Sequence, residues 1–331
     1  AADGRILQAG RIPNPEIELS WNETPTNFNI GEADERDIGI TQEIEFPTRR
    51  SGRIDVATHE REIAKLHLER IKTLVAAQVQ KAYYETRFSQ EIIDGLEEQL
   101  HLLQDVQRLL SDRYQAGASN YLDVIRGKVE IARLNNDIAE AKRDLQTRKA
   151  QLNLLLGNDA DHVLVLTDSL LHSPSFVDED SLMRTLLEKS SALKIAQRTV
   201  FRQEAAVGLA KTSYLPDFSL GIFHQRRAEE PPFNANQFTG TTTNALGIEL
   251  GISIPLWFWQ EPKGQVQEAS ALRSIAEVNN SHVARRVRAS ILNAIAAVKV
   301  ADAQIRVFDE SLLNDTRDIV TTGIAQYQNN Q

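Results

Sequence analysis

The sequence predicts a mainly α protein with a smaller β part, in which long antiparallel coiled-coil helices accompany four alternating strands. Three observations carry this. Leu246-Gly-Ile-Glu-Leu-Gly-Ile-Ser-Ile-Pro255, continued by Leu256, alternates large aliphatic with small or polar residues, as a strand with one apolar face does. The stretch 53–115 returns apolar residues at three- and four-residue steps, for instance Leu96, Leu100, Leu103 and Leu110. The alternating strand also recurs, since Ile38-Gly-Ile-Thr-Gln-Glu-Ile-Glu-Phe-Pro47 aligns with 246–255 without a gap. About ten residues is what a tilted strand needs to cross a bilayer. A strand of a soluble sandwich accounts for one such segment equally well.

The repeat reaches beyond the strands. Pro15-Glu-Ile-Glu-Leu19 matches Pro216-Asp-Phe-Ser-Leu220. After a four-residue insertion in the second copy, Gly52 falls on Gly264 and Ala57 on Ala269, and Tyr114 and Tyr327 lie almost equally far beyond. Long-period repeats of this kind define the architecture before any single element does. Each copy reads as strand, loop, strand and a long helix.

Taken in order, residues 1–10 read as the tail of an interrupted helix, so the expectation is a processed or trimmed chain. In the first strand Ile17, Leu19 and Trp21 alternate with Glu16 and Glu18. A polar loop with Pro25 and Gly31 follows over 23–36. In the second strand Ile38, Ile40, Ile44 and Phe46 alternate with Gly39, Thr41, Glu43 and Glu45, and Gln42 is the polar exception on the apolar side. The helix over 53–115 would span roughly 90 Å at about 1.5 Å per residue. Gly117 ends it, and Ser119 or Asn120 can cap the next helix.

That next helix carries Val124, Ile131, Leu134, Ile138, Ala141, Leu145, Leu152 and Leu155 in an alternating four-three register, interrupted by Gly127 and Arg148. This is a coiled-coil seam, and the short turn makes the two helices antiparallel neighbours. It ends at Gly157-Asn158. Residues 159–180 read as irregular, with a short strand expected at 163–166. A helix is expected over 181–212, then a third strand on Phe218, Leu220 and Ile222, a polar loop over 226–243 and the fourth strand. Trp257-Phe-Trp259 closes that strand and, with Trp21, is read as a membrane-interface aromatic set. A core aromatic cluster is the other reading. The last helix runs from 264 to 331 without a cap and without a return partner.

Composition excludes much. The chain has 331 residues and a net charge of −9 at pH 7, so it offers no basic stripe for nucleic acid. Without cysteine and with one methionine, thiolate metal sites, disulfides and soft-metal ladders have no ligands. His59 and His67 stand eight apart on one helix and read as solvated surface. No catalytic constellation, phosphate loop, metal site or cofactor is expected. No run of about eighteen apolar residues is present, which excludes a transmembrane helix but not a barrel.

If the aliphatic face meets lipid, the other face carries Glu16, Glu18, Glu43, Glu45, Asp217 and Glu249 into a lumen. A solvated acidic sheet is the alternative. Four strands cannot close a barrel, and an open edge is untenable in hydrocarbon. A spanning sheet therefore needs several chains.

The chain resembles the TolC-type outer-membrane efflux family over nearly its whole length. The matching stretches are Pro13-Asn-Pro-Glu16, Gln42-Glu-Ile-Glu-Phe-Pro47, Arg113-Tyr-Gln-Ala-Gly117-Ala-Ser119-Asn-Tyr-Leu-Asp-Val124 and Leu152-Asn-Leu-Leu-Leu-Gly157. The Asn-Pro-Glu opening and Ile254-Pro-Leu256 resemble the CzcC-like heavy-metal branch most. The resemblance implies a homotrimer in which each chain gives four transmembrane strands to a trimeric twelve-stranded barrel, continued by a periplasmic helical tunnel. It implies structural repeats over 1–165 and 166–331, barrel segments near 15–46 and 216–256, and an equatorial region near 157–182. Implied partners are outer-membrane lipid, a periplasmic adaptor and an inner-membrane pump of the resistance-nodulation-division type. The chain would be a passive, non-enzymatic exit duct in a Gram-negative outer membrane, for heavy-metal cations, or for drugs or proteins as the alternatives. A non-transporting coiled-coil scaffold is the alternative of another class. Adaptor docking and gating would fall to Arg113, Tyr114, Gly117, Ser119, Leu122 and Asp123.

Overall fold

The computed structural model describes residues 2–22, 35–168, 170–171, 178–228, 242–308 and 322. In chain order the elements are α1 (Ala2–Ala9), β1 (Glu16–Asn22), β2 (Glu35–Ile44), α2 (Pro47–Gln115), α3 (Tyr121–Leu156), α4 (Glu179–Lys189), α5 (Ser191–Lys211), β3 (Asp217–Ala228), β4 (Thr242–Ser253) and α6 (Glu261–Val307). The expected end of the last helix, Tyr327 and most of both polar loops lie outside the described residues. Two compact units result, one of 1–68 with 180–293, the other of 69–179 with 294–331.

The first unit holds one antiparallel sheet in the order β1-β2-β3-β4. Among the described residues β1 and β4 are its edges. Every partner in the register obeys the same parity, so the alternation read in the sequence becomes two continuous faces. Around the sheet's base, helices approach closely through small residues. Ala57, Ala196, Ala269 and Ala276 are buried, and a Cβ on Gly52 would stand 3.3 Å from Leu209. Ion pairs join the same helices, Arg198–Glu62 at 3.0 Å and Arg273–Glu204 at 3.6 Å.

Both long helices start earlier than the periodicity predicts. Pro47 opens α2 and Pro262 lies in the first turn of α6, where a missing N–H and a fixed φ cost nothing. The helix expected over 181–212 is two helices. Ser190 leaves the helical region at ψ 107° and its side chain accepts from the Leu193 amide at 3.3 Å, starting α5 afresh.

The second unit is built on the hairpin of α2 and α3. Gln107 donates to the Val124 carbonyl, Lys142 meets Glu97 at 2.7 Å and Arg148 meets Glu85 at 3.6 Å. One number rises as the other falls, so the helices are antiparallel. Val124, Leu134, Ile138, Leu145 and Leu152 are the buried residues of the α3 seam, and Thr86, Ser89 and Ile93 are buried on α2. Leu155, predicted for this seam, is exposed, because α3 stops a residue later.

No strand forms at 163–166. Side chains hold this region in its place. The Asn153 amide donates to the carbonyls of Ala160 and His162 at 3.3 and 2.8 Å, and Arg87 donates to the Asp168 carbonyl. Tyr83 donates to the Asp168 carboxylate at 2.9 Å, which keeps the phenol proton bound to higher pH than usual. These bonds pin the segment on either side of 163–166 to the α2–α3 hairpin, and among the described residues no strand pairs with it.

Candidate functional site

The outer face of the sheet is a stack of aliphatic rows. Ile17, Ile40, Ile222 and Ile248 are successive partners across the four strands; Gln42, Leu220 and Leu250 form the next row and Ile44, Phe218 and Ile252 the one after. These side chains are not under a helix. Ile248 is 72 %, Leu250 77 % and Ile252 61 % exposed. Leu246 to Ile254, the last just past the end of β4, covers about 26 Å, or about 20 Å of height at the usual tilt, close to the ~25 Å apolar band of a barrel. Gln42, the exception expected on this face, donates to the Pro13 carbonyl at 2.9 Å. Trp21 stands one row beyond the aliphatic residues at the loop end, opposite Arg36. Trp257 and Trp259 lie in the turn after β4, both exposed, with Phe258 edge-on to Trp259 at 5.2 Å.

The inner face carries Glu16, Glu18, Glu43, Asp217 and Glu249 by the same parity. Its glycines make room for larger neighbours across the strands. A Cβ on Gly247 would lie 2.3 Å from the Phe223 ring, so the ring occupies that space. Glu45 falls just past β2. It and Asp217 are taken up by arginines at the start of α2. Arg53 grips Glu45 with two bonds of 2.6 Å, and Arg49 grips Asp217 with bonds of 2.6 and 2.5 Å. Arg49 also donates to the Thr212 and Leu215 carbonyls, and Arg50 and Arg53 to those of Gly10 and Ala9. The bonds to Glu45 hold the Arg53 guanidinium above its ordinary pKa. These arginines knit the strand ends to the helix start. A sequence signal was present: three cations in the first turns of a helix oppose its dipole unless they are paired.

The helical turn is built by its own backbone. Gly117 has φ 72°, and the Ala118 and Gly117 amides donate to the Arg113 and Tyr114 carbonyls at 2.8 and 3.0 Å. This is the bonding of a Schellman ending, which favours glycine at the left-handed position. Asn120 caps α3, its side chain accepting from the Leu122 amide at 3.1 Å, while Ser119 donates back to the Leu110 carbonyl. Tyr114 and Tyr121 lie 5.2 Å apart across the turn. Leu122 is half exposed, and Asp123 pairs with Arg126 at 3.5 Å on its own helix. The turn therefore gathers Arg113, Tyr114, Gly117, Ser119, Leu122 and Asp123 within one short stretch. Among the described residues no group of His, Asp and Glu is placed to hold a metal ion, and no helix is long and apolar enough to cross a membrane.

A sheet with one exposed aliphatic face and one acidic face, together with the long α2–α3 hairpin, fits a channel-type protein of the outer membrane. The chain belongs to the outer membrane efflux protein family, which matches residues 1–158 and 182–329. It is 24 % identical over 315 residues to the cobalt-zinc-cadmium resistance protein CzcC of Cupriavidus metallidurans, covering 95 % of this chain and 70 % of CzcC. Its fold is that of the outer membrane protein VceC of Vibrio cholerae, with a TM-score of 0.76 at 17 % identity over 100 % of this chain and 80 % of VceC. CusC gives a TM-score of 0.77 at 16 % identity over 99 % of this chain and 77 % of its own. The protein is thus an outer-membrane efflux channel of a Gram-negative envelope, with its helical part in the periplasm.

Proposed function

We propose that the chain forms a homotrimeric duct, each copy giving four strands to one twelve-stranded barrel. The observation that carries this is the exposed aliphatic face on a sheet with two open edges. In lipid that face is satisfied, and the edges are satisfied only by neighbouring copies. On this reading the two halves, 1–165 and 166–331, are structural repeats of one unit. The helical turn from Arg113 to Asp123 docks a periplasmic adaptor, and an inner-membrane pump of the resistance-nodulation-division type drives export. Heavy-metal cations are the proposed cargo, supported by the likeness to CzcC. The acids of the inner face would favour cations, screened by salt beyond about 8 Å.

The test uses the full-length protein in planar bilayers and on semi-native gels. Heat-resistant oligomers with discrete, cation-preferring conductance are expected, and cobalt, zinc or cadmium tolerance should return to a strain lacking its own duct. A monodisperse monomer in plain buffer without detergent would overturn the duct reading. Conductance without metal tolerance would overturn only the cargo.

A further inference from the structure

We infer that the loop-end rim of the sheet's outer face binds phosphate groups of an anionic outer-leaflet glycolipid through Arg226 and Arg36. This rests on the barrel reading, since it takes the aliphatic rows to face lipid. Three observations carry it. First, charge is sorted by face. Every acidic residue of the four strands shares the inner parity, whereas Arg36 and Arg226 are register partners on the outer one. Second, their row, completed by Trp21 and Asn244, stands one step beyond the row of Leu19, Ile38, His224 and Leu246, in which His224 is the one polar member. That step is about 7 Å along the strand, or about 5 Å of height at the usual tilt, enough to leave the hydrocarbon edge for the headgroup layer, and Trp21 in the same row is a residue that settles at this interface. Third, the opposite ends of the strands run directly into the helices of the periplasmic part, so this rim lies on the external leaflet. Arg226 is exposed there, and a guanidinium matches phosphate with two parallel bonds.

Arg227 supplies an internal control. It is the next residue of the same strand and equally basic, but it faces inward, 3.8 Å from Glu35.

The experiment is native mass spectrometry of the full-length oligomer with purified diphosphoryl lipid A. Replacing Arg36 and Arg226 together by Gln should lower lipid A retention about tenfold, the scale of one or two charge-assisted bonds. Arg227→Gln should leave retention unchanged, and removing the lipid's phosphates should match the loss in the Gln pair. If the Gln pair fails to assemble, the Lys pair keeps the charge but loses the fork, and intermediate retention is expected of it. Wild-type retention in the Gln pair or the Lys pair, or equal loss in Arg227→Gln, would overturn the inference. So would full displacement by inorganic phosphate, which would mean a free-anion site. Retention abolished by chelating divalent cations yet indifferent to the arginines would also overturn it, assigning the lipid to loop carboxylates bridged by metal. A full-length protein that never forms a bilayer-inserted oligomer would instead sink the duct proposal.

Discussion

Arg49 shows how much rests on one side chain at the strand–helix junction. It joins Asp217 to the carbonyls of Thr212 and Leu215, and about a quarter of the Asp217 side chain is exposed. Removing it takes a donor from the Asp217 carboxylate and from the Leu215 carbonyl, while the Thr212 carbonyl keeps the Leu215 amide at 3.0 Å. Arg49→Ala should therefore cost about 1–3 kcal/mol, read as a lower thermal midpoint of the full-length protein in detergent. The exchange of Arg49 for Asp with Asp217 for Arg should recover part of the ion pair but none of the carbonyl bonds. A full recovery would mean that the pair alone matters. Asp217 and Glu45 were legible in the sequence as acids of the strands, but not as partners of arginine. The partner of Asp217 lies 168 positions away, and no local pattern encodes that distance.

At the level of elements, two glycines of the α2–α3 hairpin do opposite jobs. Gly117 has a left-handed backbone with open space around its absent side chain. Gly127 is helical, and a Cβ there would stand 1.9 Å from the Gln107 side-chain oxygen. Gly117→Ala should cost about 1 kcal/mol of backbone strain. Gly127→Ala gains about 1 kcal/mol of helix propensity and loses the Gln107 bond of similar size, so it should be near neutral. Chemical unfolding of both variants checks the contrast. A large loss at Gly127 would show that the helices cannot part to let Gln107 swing aside. The strands, long helices, turn and most of the seam were legible because period two and period 3.5 persist over many residues. The break at Ser190 and the irregular 163–166 were not, since the first turns on one side-chain cap and the second lies among side-chain bonds from distant residues rather than on a period.

For the whole molecule, the two faces of the sheet make separable claims. Ile248→Arg places a cation in the aliphatic rows and should cost about 2–4 kcal/mol of insertion, seen as loss of protein from the outer-membrane fraction. Glu249→Gln, one residue away on the other face, should insert normally. Equal behaviour of the two would mean that neither face meets hydrocarbon. The open borders of β1 and β4 carry one more consequence, for inheritance. In the proposed trimer, a copy whose first strand is spoiled would still be joined through its fourth, and it would then leave a seam that its neighbours cannot seal. Faulty alleles of such a gene should therefore be dominant, one defective subunit sufficing to ruin the cylinder its healthy siblings had begun.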